Sequence, residues 1–369
     1  MRIGLATTTI NEPLLLTKYA ADAKEYSTLN DCEIFFIVAG DRKTPDSSRT
    51  LCKKISNESG IEIEYIGPDE QLTICSTDKN LTALLKWDCI QRRNIAGLRC
   101  LQKGAEIVIY IDDDNHITFG NYFMDHLSEF RIKDKQIESS GSGYLNIMSS
   151  ANGNGISNRT YPRGFPFKLR DSAPQVEISF ANHKVAANAG LWLEEADIDA
   201  VTRIATKPIV ESYGISENAT LALGTWTPIN SQNTAFLAKF MPGYFLSSEV
   251  GRYDDIYAGY VFQKLTNHFG YSTSYGKPIV TQHRNEHDLL VDLQHELSGM
   301  RNIDFITDFV RNIDCDGNSP IAFMNDLLDQ WEKNLMALDR NHSAAEDLRK
   351  LLLGYRIWVE TLAKLEAHG

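Results

Sequence analysis

Short hydrophobic runs alternate with amphipathic stretches along the first 120 residues of the chain. Four of the runs predict β-strands, at residues 2–6, 33–39, 61–66 and 106–111. Between them, residues of about 12–27 and about 80–103 recur with helical spacing. Because strands alternate with helices, the pattern predicts an α/β layer with a largely parallel sheet. In such sheets ligands bind beyond the carboxyl ends of the strands.

The C-terminal part has a different pattern. Ser319 and Pro320 form a favourable helix start, and apolar residues then recur at alternating spacings of three and four. A second helix opens at Ser343-Ala-Ala-Glu346, a capping-box pattern. The two apolar stripes predict an antiparallel helical hairpin. We expect it to pack on the rest of the chain, and the alternative is an interface between copies in a homo-oligomer.

Residues 140–160 are rich in Gly, Ser and Asn and predict a long loop or hairpin on the ligand face of the sheet.

The formal net charge of −12 argues against a nucleic-acid binder, although a local basic pocket for a phosphate ligand remains compatible with it. No run approaches the ~18 apolar residues of a transmembrane segment, and the N-terminus is typical of a first strand instead of a signal peptide. Six scattered cysteines without metal-type spacing indicate reduced core residues. We therefore expect a cytoplasmic protein.

The segment VIYIDDDNH places three consecutive carboxylates, Asp112, Asp113 and Asp114, directly after the fourth predicted strand. Such a cluster can cap a helix, form a solvated turn, or bind a hard divalent cation through oxygen ligands. A cap needs only one of the three, and a turn does not explain why a buried strand delivers them to the ligand edge. A Mn²⁺ or Mg²⁺ ion would offset their repulsion and bridge to substrate phosphates, so the segment favours a metal site.

A hydrophobic strand followed by Asp-x-Asp is the arrangement of nucleotide-sugar-dependent enzymes of the GT-A type. The other strand-end residues that sit where such folds hold the base and ribose are Thr7, Thr8, Thr9 and Asp41. Arg92 and Arg93 lie on the predicted helix that leads into the metal strand and could reach the nucleotide. The alternative for this arginine pair is a solvated helix face.

Three later segments, together with IDDDN, resemble the motifs of the reversibly glycosylated polypeptides, the UDP-arabinopyranose mutase family. They are RTYPRGFPFKLRD (159–171), NAGLWLEEADIDAVT (188–202) and EVGRYDDIYAGYVFQKLTNHFGYSTSYGKPIVTQH (249–283). The motifs stand in the family's order and with similar spacing, over roughly residues 105–290. Lys168 replaces the family's Ser, Glu194-Glu195-Ala196 replaces its Asn-x-Pro, and the C-terminal hairpin has no obvious counterpart.

This resemblance implies a fold and a division of the chain. The fold is α/β, with a GT-A-like, Rossmann-type, mainly parallel sheet flanked by helices and with the α-helical hairpin at its C-terminus. We expect residues 1–300 to form the nucleotide-sugar-binding catalytic domain and residues 301–369 to form a helical region.

The resemblance also implies a cation held by the aspartate cluster. Asp112 and Asp114 would face the same side of an extended backbone. We expect Asp114 to be the direct metal ligand, Asp112 to lie nearer the ribose and Asp113 to belong to the nucleotide site. His283 ends the strand-like segment PIVTQH and would complete the metal shell, the alternative being a surface histidine.

Arg163 matches the family position that resembles the site of reversible self-glycosylation, and Arg170 matches the second arginine of that motif. Guanidinium stays protonated, with a pKa above ~12, so stabilisation of the diphosphate leaving group is favoured over nucleophilic attack. Asp254 and Asp255 open a predicted helix, where they could bind the sugar and act as a general base or simply cap the helix. Trp192 could form a wall of the sugar site or belong to the core.

The resemblance, taken with these assignments, implies a pyranose/furanose mutase that acts on a UDP-sugar such as UDP-arabinopyranose, through transient release of the sugar or reversible self-glycosylation. We expect it to need Mn²⁺ or Mg²⁺ but no flavin or NAD, since no GxGxxG fingerprint is present. One alternative is a glycosyltransferase that passes the sugar to a glycan acceptor. The other is a non-catalytic nucleotide-sugar-binding scaffold whose hairpin recruits partners.

Overall fold

The computed structural model describes residues 1–75, 79–118, 120–131, 134–170, 176–214, 218–284 and 288–368. The strands are β1 (Arg2–Thr9), β2 (Glu33–Gly40), β3 (Glu62–Ile66), β4 (Ile107–Ile111), β5 (Asn115–Ile117), β6 (Asp134–Ser140), β7 (Ala151–Asn152), β8 (Val176–Asn182), β9 (Lys184–Glu194), β10 (Ser212–Tyr213), β11 (Ala219–Leu221), β12 (Asn233–Leu237) and β13 (Tyr271–Gln282). The α-helices are α1 (Leu16–Asn30), α2 (Ser47–Ser59), α3 (Pro68–Ile74), α4 (Lys79–Leu84), α5 (Arg93–Gln102), α6 (Tyr122–Leu127), α7 (Ala200–Thr206), α8 (Asp254–His268), α9 (Leu289–Asn312), α10 (Pro320–Ala337) and α11 (Ala345–His368). The predicted α/β class is confirmed.

The four predicted N-terminal strands pair in parallel, in the order β3-β2-β1-β4. All five residues of β4 are buried, as expected for a strand covered by helices on both faces of a sheet. Thr9 lies opposite Gly40 at the carboxyl end of the β1–β2 pair. Since β4 runs parallel to β1, the Asp112–Asp114 segment emerges at the same edge. This edge is where the ligand site was predicted.

The sheet continues beyond β4 with mixed strand directions. β12 runs antiparallel to both β4 and β9, and the order then follows as β9-β13-β11-β6-β8. β5 returns directly from the aspartate segment to pair with β13. The second half of the chain therefore inserts its own strands beside β4 and brings its motifs to the same edge.

The predicted C-terminal hairpin is confirmed as α10 and α11, and it packs on the rest of the chain. Trp331, Tyr355 and Trp358 are fully buried. The indole Nε1 of Trp358 donates to the backbone oxygen of Met241 at 2.9 Å, and the Tyr355 hydroxyl lies 3.3 Å from the backbone oxygen of Gly243. The inner face of the hairpin is thus part of the core.

Some sequence-based boundaries differ from the structure. The helix predicted over residues 80–103 is interrupted between α4 and α5, where Asp88 has a φ of 56°, outside the α-helical region. α9 runs across residue 300, so the division into residues 1–300 and 301–369 stays a prediction. In the part of the chain that is described, no helix has the length and apolar character needed to cross a membrane.

We predict that Trp358→Ala lowers the free energy of unfolding by about 3–5 kcal/mol, because it leaves a large cavity and an unpaired Met241 carbonyl. Urea denaturation followed by circular dichroism would measure the change. Leu353→Ala on the same helix is the matched control, since Leu353 is 58% exposed, and we expect a change within about 0.5 kcal/mol. Equal losses for the two variants would show that the inner face does not anchor the hairpin.

Candidate functional site

A cavity of about 640 Å³ opens at the carboxyl edge of β1, β2 and β4. Ten of the predicted site residues line it: Thr8, Thr9, Asp41, Arg93, Asp112, Asp113, Asp114, Arg163, Asp254 and Asp255. They come from both halves of the sequence, and we call this space the central cavity. Residues 140–160, which were predicted to form a loop or hairpin on the ligand face, do not line it. Within this segment, β7 pairs with β10.

The three consecutive aspartates each have a different environment. Asp112 accepts a charge-assisted hydrogen bond from Arg93, and Asp113 accepts one from the Thr9 hydroxyl at 2.8 Å. Among the described residues, Asp114 Oδ1 is buried without a hydrogen-bond partner, and burial together with Asp112 raises the Asp114 pKa to about 7. The expectation that these residues lie on an extended backbone is wrong. The chain turns there, because it must reverse from β4 into β5.

Arg92 and Arg93 are buried, not part of a solvated helix face. Arg93 clamps the end of β4 to the segment before β12, since it contacts both Asp112 and the backbone oxygen of Ser231, the latter at 2.6 Å. Arg92 stacks on Trp87, with its guanidinium carbon 3.6 Å from the ring centroid, and lines the central cavity. Among the described residues no carboxylate lies within ion-pair distance of Arg92, so its charge can act on a bound anion.

The RGFPF motif presents Arg163 through a tight turn. Gly164 has a φ of 83°, and a Cβ atom there would lie 2.3 Å from Ile256 in α8. Only glycine therefore allows the turn to approach the helix this closely. The Tyr260 hydroxyl, also on α8, donates to the Gly164 oxygen at 3.0 Å. These contacts bring Arg163 next to the two carboxylates that begin α8.

The Arg163 guanidinium is held by two buried carboxylates. Its Nε and Nη2 atoms donate to the two oxygens of Asp197, each at 2.9 Å, and Nη2 also contacts Asp255 at 3.1 Å. Burial alone would lower the Arg163 pKa, but Asp197 and Asp255 raise it well above its ordinary value. Arg163 therefore stays charged in this arrangement.

Asp197 was missed by the sequence analysis, although it lies within the motif EADIDAVT. Burial acts to raise its pKa, but Arg163 and Arg284 hold it well below the usual range. Two residues farther on, Asp199 binds Arg170 at 2.7 Å and caps α7 by accepting from the Thr202 amide. The two motifs thus interlock through two Arg–Asp pairs. One motif carries two arginines, Arg163 and Arg170, and the other carries two aspartates, Asp197 and Asp199. This match of two cations with two carboxylates was the signal that could have found Asp197.

Asp254 and Asp255 are neighbours in sequence but differ in what they bind. Asp255 contacts Arg163 and accepts from the Ser231 amide at 3.2 Å. Asp254 accepts one side-chain hydrogen bond, from Gln91 at 2.8 Å. Burial and the neighbouring Asp255 raise the Asp254 pKa to about 7, and burial also raises that of Asp255. Neither side chain caps α8, which begins after Tyr253 without a side-chain cap.

Four predicted site residues do not line the central cavity: Thr7, Arg170, Trp192 and His283. The Thr7 hydroxyl is buried and donates to the Ile111 oxygen, so it ties β1 to β4. The Arg170 guanidinium forms an ion pair with Asp199. Trp192 lies on β9 and its side chain is part of the hydrophobic core. The His283 side chain is exposed beside His116, because the residue lies just beyond β13. Cavity-lining residues that the sequence analysis did not name include Gln91, Arg252, Arg284 and His295.

Within the described residues no group of three or more His, Cys, Asp or Glu side chains is close enough to hold a metal ion. The predicted set of Asp112, Asp114 and His283 is therefore not assembled. The carboxylates themselves suit a hard cation, and the unpartnered Oδ1 of Asp114 offers an oxygen ligand. The residues at the aspartates fit a divalent cation. The role of His283, whose backbone amide lies 3.3 Å from the Asp114 backbone oxygen, stays a prediction.

The family model of the reversibly glycosylated polypeptides matches residues 144–350, more than half of the chain. The chain belongs to the reversibly glycosylated polypeptide family. The family match continues through α9 and α10 into α11, so the expectation that the hairpin lies outside the resemblance is wrong. The interlocked Arg–Asp pairs and the start of α8 lie inside the matched residues, whereas Asp112, Asp113 and Asp114 precede them.

This member of the reversibly glycosylated polypeptide family is 27% identical over 146 residues to "Probable UDP-arabinopyranose mutase 1" of Pisum sativum. It is 29% identical over 147 residues to "UDP-arabinopyranose mutase 3" of Arabidopsis thaliana. Each match covers 38% of this chain and 37% of the relative. The chain therefore spans little more than a third of the length of these curated relatives.

Among solved structures, the chain is similar to a mannosyltransferase of Pyrobaculum calidifontis in complex with GDP-Man and Mn²⁺. The TM-score is 0.36 and the identity 11%, with 100% of this chain and 75% of that chain covered. It is also similar to glucosyl-3-phosphoglycerate synthase of M. tuberculosis, with a TM-score of 0.36, 10% identity and coverage of 82% and 80%.

We predict that Asp197→Asn lowers the free energy of unfolding by about 3–5 kcal/mol, because it removes one charge from a buried ion-pair network. The matched control is Asp308→Asn, which breaks the exposed pair with Lys168 and should cost about 0–1 kcal/mol. Both values come from urea denaturation at pH 7. A loss for Asp197→Asn no larger than for the control would show that Asp255 alone can hold Arg163.

Proposed function

We propose that the protein is a nucleotide-sugar mutase that interconverts the pyranose and furanose forms of a UDP-sugar such as UDP-arabinopyranose. Family membership and the mutase names of the relatives suggest the substrate class. The observation that carries the proposal is the central cavity, where fixed cations and a carboxyl group with a pKa near 7 line one space. Ring isomerisation needs both: positive charge for the departing diphosphate, and one group that can accept and return a proton.

The proposed reaction begins when the bond between the anomeric carbon and the diphosphate breaks, with the electron pair leaving on the diphosphate. Arg163 is fixed by Asp197 and Asp255, and Arg92 offers charge without a carboxylate partner among the described residues. Both would stabilise the leaving diphosphate without reorientation. A divalent cation, held by Asp112 and Asp114, would add further positive charge there when bound.

Ring exchange follows while the diphosphate stays in the cavity. A sugar hydroxyl bonds to the anomeric carbon and gives its proton to Asp254. The bond from that carbon to the original ring oxygen breaks, and this oxygen receives the proton from Asp254. A diphosphate oxygen then bonds to the anomeric carbon again. Atoms and electrons balance without a net oxidation.

Asp254 suits this role better than Asp255. Asp255 is bound to Arg163 and to the Ser231 amide, so its oxygens already have donors. Asp254 has one side-chain donor, Gln91, and lines the cavity. A pKa of about 7 lets the same group accept and return a proton near neutral pH.

The first experiment is incubation of the purified protein with Mn²⁺ and UDP-arabinopyranose without any acceptor, followed by anion-exchange chromatography and NMR. We expect a UDP-furanose product that is lost in Asp254→Asn and retained in Asp308→Asn. An intact substrate that turns over only after addition of a glycan acceptor would instead indicate a glycosyltransferase. Tight UDP binding with no turnover of any sugar would indicate a scaffold.

The charged, carboxylate-paired state of Arg163 supports charge stabilisation over covalent attachment of the sugar. We therefore predict that tryptic peptides containing Arg163 show no pentose adduct after incubation with the UDP-sugar, when the quenched reaction is analysed by mass spectrometry. A stoichiometric adduct on Arg163 would replace this mechanism with self-glycosylation.

We predict that the turnover rate rises with pH through about 7, since Asp254 accepts a proton only when it is ionised. Gln91→Leu removes the hydrogen bond that favours the ionised form, so the midpoint of the pH profile should move to higher pH. The comparison is of kcat/KM against pH for the wild type, Gln91→Leu and Asp308→Asn. A midpoint that stays in place in Gln91→Leu would assign the proton transfer to another group.

A further inference from the structure

Three side-chain oxygens of residues that line the central cavity are buried and have no hydrogen-bond partner among the described residues. They are Oδ1 of Asp114, Oε1 of Gln232 and Oε1 of Gln282. Gln232 is 7% exposed and Gln282 is 2% exposed, so bulk water does not solvate them freely. A buried oxygen without a donor lowers stability. The three atoms therefore indicate a ligand that supplies positive charge or hydrogen-bond donors.

Two different strand pairs bring the glutamines to the aspartate turn. Gln232 directly precedes β12, and its backbone oxygen accepts from the Asp112 amide at 3.0 Å. Gln282 ends β13, where it lies opposite Asn115 of β5. The Gln282 side chain hydrogen-bonds to the Asp114 carboxylate. Because strand pairing fixes both backbone positions, the two glutamines are held beside the turn.

The three aspartates are not equally free to bind a cation. Arg93 already forms an ion pair with Asp112, and Thr9 donates to Asp113, whereas Oδ1 of Asp114 has no partner. Among the described residues no three His, Cys, Asp or Glu side chains converge on one metal position. A hard divalent cation at Asp114 would therefore need further oxygen ligands, and amide carbonyl oxygens are ligands of this kind.

The nearby arginines leave the Asp114 carboxylate without an ion pair. Arg93 is bound to Asp112. Arg284 contacts Asp197 at 3.4 Å and the backbone oxygen of Glu195 at 3.3 Å. Within the described part of the chain, neither guanidinium lies within ion-pair distance of Asp114. Its negative charge is therefore available to a cation.

We propose that the side-chain oxygens of Gln232 and Gln282 bind the same divalent cation as Asp114. This rests on the proposed function, which places such a cation at the aspartates, and it adds two ligands. One cation accounts for all three unpartnered oxygens, because each would bind it. A sugar hydroxyl donates a single hydrogen bond, so one hydroxyl would satisfy only one of the three. An all-oxygen shell favours Mn²⁺ or Mg²⁺.

Titration of the purified full chain with Mn²⁺ alone, followed through the EPR signal of free Mn²⁺, tests the proposal without sugar or turnover. We expect Gln232→Met and Gln282→Met to weaken Mn²⁺ binding by about tenfold or more, because each removes one oxygen ligand at similar volume. Gln282→Glu keeps an oxygen and adds a charge, so it should bind at least as tightly as the wild type. Gln102→Met, at an exposed position of α5, is the matched control and should change nothing.

Circular dichroism would establish that each variant is folded. A wild type that binds no Mn²⁺, methionine variants that bind it normally, or weaker binding in Gln282→Glu overturns the proposal. Loss of binding in His283→Ala but in neither glutamine variant also overturns it and assigns the ligand to the histidine. Normal Mn²⁺ binding with a raised KM for the UDP-sugar would assign the two oxygens to sugar hydroxyls instead.

The binding measurement also separates this proposal from the proposed function. A protein that binds Mn²⁺ through the two glutamines but converts no UDP-sugar would refute the mutase and leave the cation ligands in place. A protein that converts the UDP-sugar, with Mn²⁺ affinity unchanged in both methionine variants, would refute the ligands and leave the mutase in place.

Discussion

The contact of Arg163 with Asp197 and Asp255 is the interaction on which the central cavity depends. It joins three segments that are far apart in sequence: the RGFPF turn, the EADID segment after β9 and the start of α8. The backbone reinforces the side chains, since the Arg163 amide donates to the Asp197 oxygen at 2.9 Å. Asn230 and Arg284 also contact Asp197, at 2.7 and 3.4 Å. A buried guanidinium with fewer partners would be costly to desolvate, so the network is stable only when it is complete.

The buried carboxylates at the start of α8 supply the chemistry of the site, and their burial also lowers the stability of the fold. Asp254 is buried beside another carboxylate and has a pKa raised to about 7, compared with an ordinary value near 4. Between these two values the native state holds a proton that the unfolded chain releases. The contribution of this group to stability is therefore full at low pH and is lost as pH rises through 7. A carboxyl group that titrates near neutral pH is useful for proton transfer. Burial beside Asp255 causes both this property and the loss of stability, because it raises the Asp254 pKa.

The strands and the hairpin hold this charged region from opposite sides. β4 and β12 lie next to each other, and Arg93 links the aspartate turn after β4 to Ser231 just before β12. α11 covers the segment between β12 and α8 through Tyr355 and Trp358. The hairpin thus stabilises the region from which α8 presents its two carboxylates, although the hairpin itself does not line the cavity. This arrangement agrees with a family match that extends into α11.

The sequence by itself determined the α/β class, the first four strands, the terminal hairpin and ten of the residues that line the cavity. These features depend on local periodicity, on polar strand ends and on motifs whose order could be compared with a known family. Only the tertiary structure decided which aspartate faces which partner, that Asp197 holds Arg163, and that Thr7, Arg170, Trp192 and His283 lie outside the cavity. The reason is physical: periodicity reports which face of a strand or helix is buried, whereas an ion pair between residues 34 or 92 positions apart forms only when separate elements pack. The pKa of Asp254 was beyond sequence reasoning for the same reason, because burial and neighbouring charge are properties of the assembled cavity.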